Sequence, residues 1–327
     1  MDHIRPRVVF SRCLGFDHCR YNGGIISEPM VEQIKSFVDI VTVCPEVAIG
    51  LGIPRQPIRL IGDDSSQRLV QPETGLDVTD SMKDFADQFL SHVESPDGFV
   101  LKFASPSCGP REVKLYVNEK RGAASVRTGG AFAGAAMKAF PYCAIEDEGR
   151  LKSFDIRQHF LTQLFALARF RRTCASARMG DLVEFQSRYK LLLMAYNQTK
   201  MRELGRLVAN PDKRPMEEIL AEYEIGLSHA LAKAPRRTSA INVLMHGFGY
   251  VSDQLKPEER AFFLDSLEQY RDHRVPLSVP TSIMQSWIVR FEVAYLADQF
   301  YFEPYPQQLV EVLDSGKGRI PHAKDSN

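Results

Sequence analysis

The first hundred residues alternate between two hydrophobic periods. VVFSRCL (8–14), DIVTVC (39–44) and GFVLKF (98–103) are short apolar, β-branched runs. MVEQIKSFV (30–38) falls between the first two, and SMKDFADQFLSHV (81–93) between the second and third, with apolar residues at 82, 85, 89, 90 and 93. The short runs read as strands and the longer spacing as amphipathic helices. Strand, helix, strand, helix, strand leaves little choice of fold: parallel strands joined by right-handed crossovers. A Pro- and Gly-rich stretch, GLGIPRQPIRLIG (50–62), reads as a loop, and GAFAGAAMKAF (130–140) as a helix of small residues. Past FPYCAIEDEGRL (140–151) the pattern changes to helices: 156–173, 181–208, 216–232, a stretch around 243–255, 257–273 and 281–302. The fold class expected is an α/β N-terminal domain with a Rossmann-like parallel sheet over 1–150, then an all-α domain over 151–327.

Within that frame the cysteines take on meaning. Cys13 follows the first strand, Cys44 ends the second, and Cys108 lies just past the third, in ASPSCG. Open α/β sheets bind ligands beyond the carboxyl ends of their strands, which parallel pairing brings together. One free cysteine is most often a small core residue. Three at equivalent strand ends point to a shared site, and soft thiolates select iron–sulfur clusters, zinc or Cu(I). Three ligands without a fourth leave a metal position open, as catalytic sites do. Cys19 is an available fourth ligand, while Cys143 and Cys174 lie away from the strand ends and read as structural. No CxxC is present, which disfavours a zinc ribbon. Glu46, two residues after Cys44, and Ser105, three before Cys108, are placed either for proton transfer beside a metal or to cap the helices that follow. Arg20, Arg55 and Arg59 are the nearby cations, able to hold a phosphate, or else solvated surface groups.

The formal net charge is zero, so overall charge names no partner. Locally it is uneven. Between residues 157 and 206 ten Arg or Lys oppose three acids, and RFRR (169–172) is the densest point. Such an excess is the footprint of a polyanion, with Arg169, Arg171 and Arg172 as the expected RNA contacts. Aromatics at 185, 189 and 196 sit at helical spacing and read as core. No run of about 18 apolar residues offers a membrane span. The N-terminus lacks a signal-peptide pattern, so a cytoplasmic location is expected.

SRCLGFDHCRYNGG (11–24), VCPEV (43–47), IPRQPIRL (53–60) and SPSCG (105–109) together resemble the thiouracil desulfurase family over about residues 5–150. EDEGRL (146–151), YKLLLMAYNQ (189–198), LGRLVA (204–209), NVLMHGFGY (242–250), YRDHRVPLSVP (270–280) and YLADQFYFEPYP (295–306) resemble a helical domain often fused to it. The fused form is similar to bacterial enzymes that remove sulfur from 4-thiouridine in tRNA. The resemblance implies a 4Fe-4S cluster held by Cys13, Cys44 and Cys108 with one iron open to the substrate sulfur. It also implies non-redox, hydrolytic C–S cleavage with Glu46 and Ser105 as acid–base residues, and thiolated tRNA as partner. Two alternatives stand beside this expectation: free 2-thiouracil as substrate, or an RNA-binding module whose cysteines hold structural zinc.

Overall fold

A computed structural model describes residues 4–63, 66–120 and 122–310. Contacts divide the chain into two compact units. One is built from residues up to Ala168, the other from Arg169 to Gln307.

The first unit holds β1 (Arg7–Ser11), α1 (Pro29–Lys35), β2 (Asp39–Val43), α2 (Pro45–Ala48), β3 (Arg59–Gly62), β4 (Gln67–Gln71), β5 (Leu76–Asp77), α3 (Thr79–His92), β6 (Gly98–Leu101), β7 (Val113–Tyr116), β8 (Ser125–Thr128), α4 (Ala131–Ala139) and β9 (Ala144–Asp147). Four of these strands form the expected parallel sheet, in the order β2-β1-β6-β9. Val9 pairs with Val41 on one side and Phe99 on the other. The central strand is almost wholly buried, so the run VVF reads as continuous apolar sequence, as parallel strands do.

The sequence reading missed a second sheet, ordered β5-β4-β3-β7-β8. It is built from two insertions. One precedes α3 and the other precedes α4, and they join where β3 pairs in parallel with β7 (Leu60 with Leu115). Part of the expected loop 50–62 is therefore strand. Ile58 and Leu60 drive this, because they are buried in the same apolar cluster as Val9, Phe99, Met82 and Phe132. β9 also went unread. Its segment AIED is half acidic, yet Glu146 and Asp147 are buried.

α5 (Phe154–Ser176) is one continuous helix, and the division between units falls inside it. The boundary expected near 150 marks the change of secondary structure, but compactness divides the chain later. Leu161, Leu164 and Phe165 are buried, and Leu164 lies so close to Gly98 on β6 that a Cβ there would meet it at 2.8 Å. The start of α5 therefore packs on the sheet.

The second unit continues through α6 (Met179–Tyr196), α7 (Gln198–Ala209), α8 (Met216–Leu231), α9 (Arg237–Phe248), α10 (Pro257–Arg271), α11 (Ser278–Arg290) and α12 (Ala294–Ala297). The single helix expected over 181–208 is two. Asn197 takes an extended backbone and its side chain caps Lys200 N, which ends one helix and begins the next. The core contains Phe185 and Tyr189, stacked at 4.3 Å, as the helical spacing predicts.

Arg169 corrects the expected RNA surface. It is 3% exposed. Its guanidinium lies 3.9 Å over the Phe300 ring and donates to Tyr189 Oη (3.0 Å) and Pro304 O (2.9 Å). Helical position alone could not separate it from Arg172, because 169 and 172 differ by less than one turn. Arg171 is half-buried and Arg172 exposed. Arg157 is buried too, so part of the local charge excess is internal.

Candidate active site

Beyond the carboxyl ends of β1, β2 and β6 lies a cavity of about 170 Å³, lined by Cys13, Cys19, Cys44 and Cys108. Each arrives by a different local device. Cys13 sits in the turns after β1. Cys44 is the N-cap of α2, with Pro45 setting the first helical φ. Cys108 lies in the turns after β6, and Lys102 N donates to Ser11 Oγ (2.9 Å), tying the end of β1 to the start of that loop. Only Cys44 precedes a helix, and that helix is one turn long.

The Cys108 loop is braced by α4. Ala131 N donates to Pro106 O (3.0 Å), Ala133 N to Ser107 O (3.1 Å) and Gly130 N to Gly109 O (2.7 Å). A Cβ on Gly130 would stand 2.6 Å from Ser107 O, so only glycine permits this approach. Ala104, in the same loop, holds φ at 53°, a left-handed conformation that costs an alanine about 1–2 kcal/mol. The turn is thus imposed by its surroundings.

The thiols of Cys19, Cys44 and Cys108 are raised by their surroundings. Burial pushes the Cys108 thiol up to about 12. Neighbouring Cys13 raises Cys19 to about 11. Cys44 is raised further, by Cys19 and then by burial. A metal group entering here displaces protons from thiols. Among the described residues no three His, Cys, Asp or Glu side chains gather in the arrangement of a single-ion site. Four cysteines line one cavity, and a soft, many-sulfur wall suits a thiophilic group.

Glu46 enters the cavity beside them, clamped on both oxygens. Arg55 reaches Oε2 through Nε (2.9 Å) and Nη2 (2.8 Å), and Ser107 Oγ donates to Oε1 (2.7 Å). The Arg55 and Glu46 side chains are only 4% and 13% exposed. Arg55 Nη1 also donates to Cys19 O and Gly52 O, each at 3.0 Å. Arg55 therefore lines the cavity and holds Glu46 in place. Glu46 lies in the first turn of α2 and makes no capping bond.

Ser105 lines the cavity, but its Oγ accepts from Cys108 N (3.2 Å) and meets Ser107 Oγ at 3.1 Å. The serine that touches Glu46 is Ser107, fully buried and absent from the sequence reading. Its place in SPSCG, next to Cys108, was the available signal. Arg20 lines the cavity, 5.7 Å from the Tyr21 ring centre. Arg59 does not. It stands on β3 over the Tyr116 ring at 5.2 Å, so its expected substrate role is corrected. Arg12 and Lys102 line the cavity and were also missed. Lys102 is ion-paired to Glu148.

Comparison with known proteins adds the following. A family model described as 2-thiouracil desulfurase matches residues 8–148. A second, described as a protein of unknown function (DUF1722), matches residues 190–306. The "Uncharacterized protein YbgA" of Escherichia coli (strain K12) is 28% identical over 138 residues, 42% of this chain and 81% of that protein. The "Uncharacterized protein YbbK" of Bacillus subtilis (strain 168) is 34% identical over 112 residues, 31% of this chain and 72% of that protein. A solved structure of TudS, a 4Fe-4S-dependent thiouracil desulfidase, is 26% identical and covers 45% of this chain and 93% of its own, with a TM-score of 0.36.

Proposed function

Over residues 8–148 the chain belongs to the 2-thiouracil desulfurase family, and from that premise we propose that it is a 4Fe-4S-dependent hydrolase removing sulfur from 4-thiouridine in tRNA. The observation that carries this reading is the cavity itself: thiols from three strand ends, with a clamped carboxylate beside them. Cys13, Cys44 and Cys108 are the ligands. When bound, the cluster supplies an iron free to take up a thiocarbonyl sulfur as a soft Lewis acid.

The rest is the work of the chain. Glu46 takes a proton from water as the new C–O bond forms at the ring carbon. Arg55 holds that carboxylate at one angle, so the base is pre-aimed. The C–S bond then breaks and the sulfur leaves with protons drawn from the same water. Thiocarbonyl plus water becomes carbonyl plus hydrogen sulfide, with no net electron transfer. Arg12 and Arg20 line the cavity, and among the described residues their side chains make no hydrogen bond or ion pair, so they are available to an anionic part of the substrate.

The test is incubation of anaerobically reconstituted protein with bulk thiolated tRNA, followed by nucleoside analysis. Loss of 4-thiouridine with matching sulfide release supports the proposal. Turnover of free 2-thiouracil alone would favour the free base, the substrate class that the family's description carries.

The part given to the helical unit is RNA binding. Arg172, Arg202 and Arg206 are exposed, and the last two lie one turn apart on a single face of α7. Reversing all three to Glu is expected to weaken tRNA binding and flatten its salt dependence, by about 0.9 in log–log slope per lost phosphate contact. Iron content and turnover of a small thiolated substrate should not change. Native affinity and slope across a salt series would leave this face merely solvated. Arg169→Glu belongs to a different experiment. It places a carboxylate against Phe300 and strands Tyr189 Oη, so a lower melting temperature is its expected result.

A further inference from the structure

We infer that Ser107 is a positioning residue that relays a proton between Glu46 and Ser105, an inference that rests on the desulfurase reading above. Three oxygens stand in line: Glu46 Oε1, Ser107 Oγ at 2.7 Å from it, and Ser105 Oγ at 3.1 Å from Ser107. The ends differ from the middle. Glu46, Ser105 and Ser107 all line the cavity, but Glu46 and Ser105 are partly exposed and Ser107 is fully buried.

The line also has a direction. Cys108 N–H donates to Ser105 Oγ at 3.2 Å. A hydroxyl has one proton to give. Ser107 also lies 3.7 Å from Cys108 Sγ, but its much shorter bond is to the carboxylate. While Glu46 is ionised, Ser107 donates to it and Ser105 donates to Ser107. Once Glu46 has taken a proton from water, the order can reverse. Glu46 returns that proton to Ser107, Ser107 passes its own to Ser105, and Ser105 delivers its own to the departing sulfur as the C–S bond breaks. Each oxygen gives one proton and takes one. No electrons are transferred, and the net result is one proton moved from water to the leaving group.

A bare carboxylate would have to swing between water and sulfur to do both jobs. Arg55 and Ser107 prevent that swing, since they fix both oxygens. The clamp and the relay are therefore two consequences of one arrangement: the base is immobile, so the proton has to move.

The experiment compares Ser107→Ala and Ser107→Thr with wild type in the iron-loaded protein. Ser107→Ala is expected to lower kcat on the order of 10²-fold, the lower end of a general acid–base contribution. KM and iron per chain should stay near wild type. In mixtures of light and heavy water the wild-type rate should bend, as when several protons move together, and the Ala variant should give a straight line. Ser107→Thr keeps the hydroxyl and should restore the bend. A second measurement does not depend on turnover. In infrared difference spectra against Glu46→Gln, the Glu46 carboxylate band should shift in Ser107→Ala. An unchanged kcat and an unchanged bend in Ser107→Ala overturn the relay. If wild type releases no sulfide from any thiolated substrate, the desulfurase reading fails and the relay fails with it. An unshifted carboxylate band overturns the bond on which the relay is built.

Discussion

Cys44→Ala is expected to leave the protein without iron and without activity. Cys13→Ala and Cys108→Ala should do the same, because each removes one of three thiolates drawn from a different strand end, and two ligands do not hold a cluster. The effect should be complete, not graded. By contrast Cys143→Ala and Cys174→Ala should be nearly silent. The Cys143 thiol donates to Pro96 O at 2.8 Å and lies outside the cavity. Cys108 is 5% exposed within the apolar core, so its alanine variant also needs a melting curve. Loss of iron with a normal melting temperature assigns it as a ligand. Cys19→Ala is the discriminating case. Cys19 is fully buried, lines the cavity, and neighbours both Cys13 and Cys44. Full iron in that variant makes it a wall residue, and lost iron makes it a ligand. The measurement is iron per chain after anaerobic reconstitution, read beside the visible absorption. Normal iron in the Cys44 variant would sink the ligand assignment.

Glu46→Gln should keep its iron and lose turnover by roughly 10²–10⁴-fold, the contribution of a positioned general base. The side chain keeps its shape, but the variant carries a second consequence. Arg55 is almost fully buried against this carboxylate, and breaking a buried pair by removing one partner costs about 3–5 kcal/mol. The glutamine oxygen retains one hydrogen bond, so the loss should be smaller, yet a lower melting temperature is expected. Iron content separates the two effects. A folded, iron-loaded variant with lost turnover assigns the base. A near-native rate would make Glu46 a structural partner of Arg55 and nothing more.

The parallel sheet and its three cysteines were legible in the sequence because both depend on local signals. A buried parallel strand is a short apolar run, a crossover helix has its own period, and the parallel pairing of β1 with β2 and with β6 follows from their alternation. Once the strands are known, so are their carboxyl ends, and Cys13, Cys44 and Cys108 are placed by counting. Glu46 came with Cys44 because it is two residues away.

Tertiary structure alone decided the rest. Ser107 bonds a carboxylate 61 positions earlier in the chain, and nothing in SPSCG says which of its two serines faces that carboxylate. Arg55 and Arg59 lie four residues apart in one motif, yet Arg55 is buried on Glu46 and Arg59 is carried off on a strand of the second sheet. That sheet was hidden because its strands are two to five residues long and split between two insertions. Each piece is too short to show a period, and Leu60 meets Leu115 only after the chain has folded. Arg169 was read as surface because charge is written in sequence and burial is not. An arginine whose guanidinium finds an aromatic face, a hydroxyl and a carbonyl is stable inside a core, and all three partners come from other helices and loops of its own unit.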